Sequence, residues 1–363
     1  MSMHIAFFVS SLNVGGVERA FVNLANCFVD EGHKVDFIVC QNVGELKSEL
    51  SDKINVIAFK DSRLRKCFRP LYKYIKKSSA DCLISGPTYP NIIAVICNFF
   101  AFNKMKIIAN QHSYQDVEMD KLGIVGKIAP FLIKRTYNHA TKVVAVSEGI
   151  KNDLITNYSI KPDKVITIYN AVLTSHFFEK AKQPIDDSLS GLLSKKYIIA
   201  VGRLETVKNY PFMLKAFSNI KESVPSFDHN LIILGEGAEK EKIQNEIKKL
   251  KLEDSVYLLG AFANPLPILK RADLLIHSSL IESMGLVYVE ALALKVPVVT
   301  VTNSGAEEIL KDVETKEIVD LFDEDKFIAA ILKMMGEKFE DNDFPALREF
   351  ESKRIMESYL NII

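Results

Sequence analysis

The sequence predicts an α/β protein built from two Rossmann-like, doubly wound domains that face a cleft. Short apolar runs of strand length alternate with longer segments whose apolar residues recur at helical spacing. A polar stretch at residues 175–195 interrupts this alternation, which then begins again. The length of 363 residues and the 48% apolar content supply two domains of ordinary size. We therefore predict a first domain at residues 1–174, a linker at 175–195 and a second domain at 196–342.

The first domain opens with a βαβ unit. Residues 4–11 form an apolar strand, and residues 17–28 carry apolar side chains at helical spacing. Gly32 supplies a stop for that helix, and a second strand follows at residues 34–40. Further strands are predicted at residues 55–59, 81–85, 106–110, 142–146 and 164–168. This succession indicates a mostly parallel sheet with helices on both faces.

The second domain repeats the pattern. Strands are predicted at residues 197–202, 230–234, 255–259, 273–278 and 297–302, with helices such as residues 239–252 between them. Residues 343–363 are helical in pattern. Because ligands of open α/β sheets bind beyond the carboxyl ends of the strands, the loops after these strands are the candidate sites.

Two carboxylates, Glu282 and Glu290, lie eight positions apart where the strand at 273–278 gives way to a helix. A strand that enters a Gly-containing loop and then a helix points backbone N–H groups and the positive end of a helix dipole at one spot, which suits a phosphate. Eight residues span more than two helical turns, so these acids suit two separate hydroxyl-bearing groups rather than a glycosidase pair. The alternative is a dipole-complementing Glu290 and a solvated Glu282.

A second motif places two cations just beyond the strand at 197–202. In this motif Arg203 follows Gly202, and Lys208 precedes Asn209. We expect Arg203 and Lys208 to converge on one anion. A diphosphate leaving group develops negative charge as its bond to a sugar breaks, and fixed cations stabilise that charge. The alternative is two surface cations beside a helix that begins near Asn209.

Two features of the first domain also lie at strand ends. Gly15-Gly16 follows the first strand and precedes a helix, so its backbone can approach a phosphate or an acceptor closely. It does not match the dinucleotide fingerprint GxGxxG, and a simple tight turn is the alternative. His112 follows the strand at 106–110 and therefore belongs to the same edge of the sheet.

Taken together, these motifs resemble those of the retaining glycosyltransferases of family 4, the group 1 enzymes with a GT-B fold. The resemblance runs from about residue 5 to residue 309 and rests on three elements: Gly202-Arg203-Leu-x3-Lys208-Asn209, Glu282-x7-Glu290 and Gly15-Gly16. It implies a nucleotide-sugar donor of UDP or GDP type and a hydroxyl acceptor. It also implies that a last helix, within residues 343–363, crosses back to the first domain.

The resemblance further implies a role for each site residue. Glu290 would bind the donor ribose, and Glu282 with the loop after it would hold hydroxyls of the transferred sugar. The acceptor hydroxyl would attack from the side on which the diphosphate leaves, so that the anomeric configuration is kept. The implied catalytic residues are Arg203, Lys208, Glu282 and His112; the implied donor-binding residues are Gly15, Gly16, Gly202, Glu236, Gly260, Ser283, Met284, Gly285, Leu286 and Glu290.

Two sequence segments match DxD, the pattern by which another class of glycosyltransferases holds a divalent ion on the donor diphosphate. One is Asp323-Glu-Asp325, directly before an apolar helical run, where acids are an ordinary helix start. The other is Asp341-Asn-Asp343, in a polar connector. We therefore expect no metal ion and no other cofactor.

Charge is unevenly distributed although the net charge is zero. Residues 1–174 hold 22 Lys and Arg against 15 Asp and Glu, so the remainder is acidic. Eight cations interleaved with aromatic residues are predicted to attract an anionic membrane surface: Lys60, Arg63, Arg65, Lys66, Arg69, Lys73, Lys76 and Lys77. A solvated helix face is the alternative. The neutral total and the absence of a recognisable binding module argue against nucleic acid as a partner.

Five cysteines without CxxC spacing are interpreted as reduced thiols of a cytosolic protein. The apolar residues near the start lack a basic region and a cleavage site, so we expect a first strand rather than a signal peptide. The longest apolar run, residues 92–102, is too short to span a bilayer. We expect a cytoplasmic protein, with peripheral attachment to the inner face of the cell membrane left open.

The sequence thus predicts a retaining, metal-independent hexosyltransferase. It would move a sugar from a nucleotide sugar to a hydroxyl of a glycan acceptor, lipid-linked in view of the basic aromatic segment, in bacterial surface polysaccharide or lipopolysaccharide assembly. Two alternatives stay open at this point. One is a nucleotide-sugar epimerase of the same fold, and the other is a non-catalytic α/β ligand-binding protein.

Overall fold

The structure, a computed structural model, describes residues 2–13, 15–59, 64–114, 123–335 and 345–363. The chain divides into two compact units. The first comprises residues 1–174 and 349–363, and the second comprises residues 175–348.

One parallel sheet of seven strands forms the centre of the first unit. The strands are β1 (His4–Val9), β2 (Lys34–Val39), β3 (Asn55–Ala58), β4 (Cys82–Ser85), β5 (Lys106–Gln111), β6 (Lys142–Ala145) and β7 (Val165–Thr167). Their order is β3-β2-β1-β4-β5-β6-β7. The order therefore reverses direction between β1 and β4, the point at which doubly wound sheets open a crevice for ligands.

Within the residues that the structure describes, six α-helices cover this sheet: Gly16–Asp30, Phe68–Lys77, Thr88–Phe100, Gly123–Thr136, Glu148–Thr156 and Ser352–Leu360. The last of them belongs to the first unit, as the resemblance implied. Its buried residues Ile355, Met356 and Tyr359 join the core formed by β1, β2 and the helix Gly16–Asp30. A hydrogen bond from the Tyr359 hydroxyl to the side chain of Asn110 fastens the helix to the end of β5.

A buried carboxylate ties the first three strands to a surface helix. Asp36 on β2 accepts hydrogen bonds from Asn55 on β3 (2.9 Å) and from the Tyr74 hydroxyl (2.6 Å), and His4 on β1 lies 2.9 Å away. Burial alone would raise the pKa of Asp36, but these contacts outweigh it and hold the pKa below its ordinary value. The helix Phe68–Lys77 is thus anchored through Tyr74 as well as through its buried Leu71 and Ile75.

The second unit contains a parallel sheet of six strands. The strands are β8 (Tyr197–Val201), β9 (Asn230–Leu234), β10 (Val256–Gly260), β11 (Leu274–His277), β12 (Val298–Val301) and β13 (Lys316–Val319). They are arranged β10-β9-β8-β11-β12-β13, so the reversal lies between β8 and β11. The helices are Phe177–Lys180, Asp187–Leu193, Tyr210–Ser223, Lys240–Lys249, Leu266–Leu269, Leu286–Ala293, Ser304–Ile309 and Glu324–Met334.

Two features of the second unit differ from the sequence analysis. Residues 175–195, predicted as a linker, form two short helices, and the second of these begins with Asp186 accepting a hydrogen bond from the backbone of Ser188. The strand β13 was not predicted. It lies at the edge of the sheet and is only partly buried, so its sequence Lys-Glu-Ile-Val lacks the apolar run of a central strand.

Candidate active site

The loops after β8 and β11 meet at the reversal point of the second sheet. Lys208 lies on the first loop, in a short 3-10 turn (Thr206–Lys208), and Glu282 lies on the second. Backbone and hydroxyl hydrogen bonds join the two loops: Leu280 N–H donates to Val207 O (2.9 Å), and the Ser278 hydroxyl donates to Lys208 O (2.8 Å). The loops are therefore one rigid structure at the place where open α/β sheets bind ligands.

Lys208 and Glu282 form an ion pair in which the side chains are only 15% and 13% exposed. Burial would raise the pKa of the Glu282 carboxyl, but the Lys208 ammonium and the neighbouring His277 outweigh it and hold the pKa below its ordinary value. The site therefore holds a carboxylate paired with a lysine side chain, both mostly removed from solvent. Such fixed charges act more strongly on a bound ligand than they would in water.

His277, the last residue of β11, was not identified from the sequence. Its Nε2 lies 3.1 Å from Oε1 of Glu282, and its Nδ1 accepts a hydrogen bond from Ser279 N–H (3.3 Å). The ring proton is therefore on Nε2 and is donated to Glu282. Burial lowers the pKa of His277 to about 4, so the imidazole is neutral at physiological pH. In the sequence, His277 is the last residue of an apolar strand. Its contact with Glu282 depends on the fold and is not visible in the sequence.

The loop that carries Glu282 leads directly into the helix Leu286–Ala293. Gly285 precedes this helix with a φ of 72°, and a Cβ there would lie 2.4 Å from the ring of the buried Tyr288. Only glycine fits this position without strain. The carbonyl of Glu282 accepts hydrogen bonds from the Ser304 hydroxyl (2.9 Å) and Gly305 N–H (3.1 Å), which fix the loop from the other side.

The remaining donor-binding candidates of this segment have different surroundings. Met284 is buried, whereas Ser283 and Leu286 are partly exposed around the start of the helix. Glu290 is the fifth residue of the helix and is 9% exposed. It is thus not a solvated acid. Its role toward a ribose stays a prediction.

Glycines bring the ends of β8, β9 and β10 together. A Cβ on Gly235 would lie 1.9 Å from the carbonyl oxygen of Gly202, and Gly235 N–H donates to Gly260 O (2.8 Å). Glu236, between these segments, is half exposed and pairs with Lys240 (2.8 Å). The predicted contacts of Gly202, Glu236 and Gly260 with a donor are therefore compatible with their position at adjacent strand ends.

Arg203 does not join the pair formed by Lys208 and Glu282. Its side chain is 65% exposed, and its Nη1 lies 2.9 Å from Oε1 of Glu205. The two cations thus have different carboxylate partners in this structure, and their convergence on one anion stays a prediction. The reason is local: Glu205 offers Arg203 a carboxylate two residues away, whereas the 3-10 turn brings Lys208 to Glu282. A phosphate contact of Arg203 stays a prediction.

The candidates of the first unit lie at the ends of β1 and β5. Gly15, in extended conformation, precedes the helix that begins at Gly16. His112 is 8% exposed, and its ring centre lies 5.3 Å from that of Phe21 on the same helix. Burial lowers the pKa of His112 to about 3, and neither ring nitrogen has a hydrogen-bond partner among the residues that the structure describes. A buried, neutral imidazole of this kind suits a ligand contact.

Two family models match the chain, one in each unit. The model described as "Glycosyltransferase Family 4" matches residues 14–176, and the model described as "Glycosyl transferases group 1" matches residues 184–346. The chain belongs to glycosyltransferase family 4. The resemblance inferred from the motifs is thereby confirmed, and the protein is a glycosyltransferase.

Two relatives of this glycosyltransferase come from Campylobacter jejuni. One, N-acetylgalactosamine-N,N'-diacetylbacillosaminyl-diphospho-undecaprenol 4-alpha-N-acetylgalactosaminyltransferase, is 32% identical over 68% of this chain, and the match spans 64% of that relative's length. The other, GalNAc-alpha-(1->4)-GalNAc-alpha-(1->3)-diNAcBac-PP-undecaprenol alpha-1,4-N-acetyl-D-galactosaminyltransferase, is 25% identical and covers 99% of this chain and 98% of its own.

Solved structures show the same fold. Anabaena Alr3699/HepE in complex with UDP-glucose superposes with a TM-score of 0.72 at 18% identity, covering 99% of this chain and 97% of its own. The predicted GT-B fold of this glycosyltransferase, with two parallel α/β sheets, is thereby confirmed.

The structure of the glycosyltransferase describes one of the two DxD matches. Asp323 is the N-cap of the helix Glu324–Met334 and accepts a hydrogen bond from Lys326 N–H (3.0 Å), as an ordinary helix start does. Asp341 and Asp343 lie outside the described residues. Within the described ranges, no group of three or more His, Cys, Asp or Glu side chains is arranged to hold a metal ion.

The basic segment of the glycosyltransferase is described in part. Lys60, Arg63 and the side chain of Arg65 lie outside the described residues. The other five cations, all exposed, are Lys66, Arg69, Lys73, Lys76 and Lys77.

All five cysteines are free and buried. None of the helices that the structure describes combines the length and apolar character needed to cross a bilayer.

Proposed function

We propose that this glycosyltransferase transfers a hexose-type sugar, with retention of anomeric configuration, from a UDP- or GDP-type donor to a hydroxyl of a lipid-linked glycan. The pathway would be bacterial surface polysaccharide or lipopolysaccharide assembly. The observation that carries the proposal is the buried pair of Lys208 and Glu282 at the reversal point of the second sheet. The two Campylobacter relatives support the lipid-linked acceptor, because their names specify undecaprenol-linked substrates.

The chemistry follows from the charges. When the bond between the sugar C1 and the phosphate oxygen breaks, its electron pair stays on the diphosphate. Lys208 supplies a fixed positive charge for it, and the backbone N–H groups at the start of the helix Leu286–Ala293 supply a dipole. Arg203, which is exposed and close to the same loop, can leave Glu205 to add a second charge. These groups are proposed to act without a divalent cation.

The sugar is proposed to bind through carboxylate and imidazole contacts. Glu282 is proposed to accept hydrogen bonds from sugar hydroxyls, beside the contacts that its carboxylate already makes with Lys208 and His277. Glu290 binds the ribose, and the neutral His112 contacts the sugar. The acceptor oxygen forms its bond to C1 on the face that the diphosphate leaves, and its proton passes to the departing phosphate oxygen.

Donor hydrolysis tests this proposal. The protein is incubated with a panel of UDP- and GDP-sugars, with and without EDTA, and release of nucleoside diphosphate is measured. We expect slow release from one donor, unaffected by EDTA and lost in Lys208→Met. Release from none of the panel would contradict the proposal, and conversion of a donor to its epimer would support the epimerase instead. Once the acceptor is known, the anomeric proton coupling of the product tests retention.

Location at the inner face of the cell membrane is proposed on electrostatic grounds. The exposed cations of the helix Phe68–Lys77, together with Lys66 two residues before it, would attract anionic lipid, each contributing on the order of 1 kcal/mol near the surface. A lipid-linked acceptor lies at the same surface. Attachment there would raise the rate at which enzyme and acceptor meet.

A further inference from the structure

Three phenylalanines at one turn of the first unit are exposed to solvent. Phe99 and Phe100 end the helix Thr88–Phe100 and are 56% and 57% exposed, and Phe102 in the following turn is 88% exposed. The rings of Phe99 and Phe100 lie 5.8 Å apart. We name these three residues the aromatic edge. Three exposed rings so close together in the chain mark an interaction surface, since a lone exposed ring would need no explanation.

The turn that carries the aromatic edge is held rigidly. The side chain of the buried Asn98 donates to Met105 O (2.8 Å) and accepts from Met105 N–H (3.1 Å), which closes the turn. Phe102 has a φ of 61°, a left-handed conformation that is unfavourable for a bulky side chain. The surrounding contacts therefore hold Phe102 in a strained conformation that leaves its ring in solvent.

The aromatic edge adjoins the basic helix. The ring of Phe100 lies 6.1 Å from that of Phe68, the first residue of the helix Phe68–Lys77. At the other end of this helix, Lys104 Nζ donates to Lys76 O (2.6 Å). The turn therefore runs along the helix from one end to the other. The exposed cations of the helix, of the residues just before it and of the turn are Lys66, Arg69, Lys73, Lys76, Lys77 and Lys104.

We propose that Phe99, Phe100 and Phe102 insert into the acyl boundary of an anionic lipid bilayer, with the basic helix at the headgroups. Exposed aromatic rings beside a row of cations complement such a surface in both polarity and charge. A second copy of this chain fits less well, because a symmetric contact would bring the same cations together. The inference rests on the proposed membrane location, which was argued from charge alone. It adds the burial of apolar ring surface, a contribution to binding that salt does not screen.

Vesicle sedimentation with the full chain tests the proposal. The vesicles are phosphatidylcholine alone and phosphatidylcholine with phosphatidylglycerol, at low and high salt. We compare the wild type with Phe99→Ser/Phe102→Ser. The control is Phe178→Ser/Phe322→Ser in the second unit. Phe178 is as exposed as Phe99 (56%), and Phe322 has a φ of 66° and is 64% exposed.

The wild type is expected to bind the anionic vesicles and to retain part of that binding at high salt. Phe99→Ser/Phe102→Ser should reduce the partition coefficient by about tenfold or more and abolish the salt-resistant part, while the control pair binds like the wild type. Equal binding of all three proteins to anionic vesicles, or loss of binding in the control alone, would overturn the proposal. If the wild type binds no vesicle but aggregates, and Phe99→Ser/Phe102→Ser does not aggregate, the aromatic edge would be assigned to self-association instead.

Donor hydrolysis without vesicles separates this inference from the proposed function. The substituted side chains are exposed and outside the candidate site, so hydrolysis should be unchanged in Phe99→Ser/Phe102→Ser. Normal hydrolysis with unchanged vesicle binding would refute the aromatic edge and leave the enzyme proposal standing. Absent hydrolysis in the wild type would refute the enzyme proposal, whatever the vesicles show.

Discussion

His277 Nε2 lies 3.1 Å from Oε1 of Glu282, the same oxygen that contacts the Lys208 ammonium. One carboxylate is thus held by two donors, one from the end of β11 and one from the loop after β8. His277 is held in turn through Ser279 N–H, and its ring centre lies 5.3 Å from that of Tyr288. Glu282 therefore has a single orientation that does not depend on a bound ligand, which is what a preorganised site requires.

His277→Leu should lower kcat/KM by about ten- to a hundredfold, because Glu282 loses a hydrogen bond to its charged form. His277→Gln should recover part of this loss, since its amide can donate from a similar position. Steady-state kinetics on the identified donor measure both. His277 acts through Glu282, so we expect a positioning effect and not the loss of a general base. Indistinguishable kinetics of His277→Leu and wild type would contradict this role.

Lys208→Met should destabilise the protein by about 1–3 kcal/mol, because it leaves the buried Glu282 carboxylate without its cation. Lys208→Met/Glu282→Gln should recover most of that stability and none of the activity. Urea unfolding and donor hydrolysis measure the two quantities. Lys215→Met is the matched control: its pair with Glu324 (2.6 Å) has a lysine that is 64% exposed, so its loss should destabilise the protein far less than Lys208→Met does. Recovery of activity in the double variant would show that Lys208 and Glu282 are not part of the active site.

Stability should also depend on pH through Glu282. Its folded pKa lies below the unfolded value of about 4.3, so its contribution is present above that pH and is lost as pH falls through the folded pKa. The difference in unfolding free energy between wild type and Glu282→Gln should therefore shrink from about pH 5 to about pH 3. Other carboxyls with lowered pKa values are common to both proteins and cancel in the difference. A constant difference across this range would show that Glu282 is not stabilised as a carboxylate.

Gly285→Ala should destabilise the second unit by about 1–3 kcal/mol and abolish donor hydrolysis. The new methyl group would meet the Tyr288 ring at 2.4 Å, at a backbone φ of 72°. Gly191→Ala is the control, because nothing lies within 4 Å of its added Cβ and it is inside the helix Asp187–Leu193. That control should be neutral or gain up to about 1 kcal/mol. Thermal melts compare the two, and equal melting temperatures would contradict the steric account.

The central strands of both sheets were predictable because they are buried on both faces. β1 and β9, for example, are continuous apolar runs whose predicted bounds agree with the structure to within two residues. The strand β13 has no such run, and the two helices at residues 175–195 are only four and seven residues long, too short for a helical repeat to be recognised. Their placement depends on packing against the rest of the second unit, which local sequence does not record.

The site was predictable where the position of a residue relative to a strand end determines where it lies in the fold. Glu282 and Lys208 were found because each follows a strand, and parallel strands bring their ends to one edge. The side chain that Arg203 contacts could not be predicted, because the sequence does not show that the backbone of this loop brings the Glu205 carboxylate to an exposed arginine. His277 was missed because its contact with Glu282 depends on a loop that folds back on the strand end. The aromatic edge needed the exposure of each ring, which a Phe-rich helix sequence does not reveal.

Calorimetric titration of the full chain with UDP and with GDP, in EDTA, tests the central claim most directly. The account predicts that one of the two nucleotides binds without a divalent cation, and that Lys208→Met weakens this binding by about tenfold or more. No heat of binding with either nucleotide, or binding that appears only when magnesium or manganese is added, would contradict it.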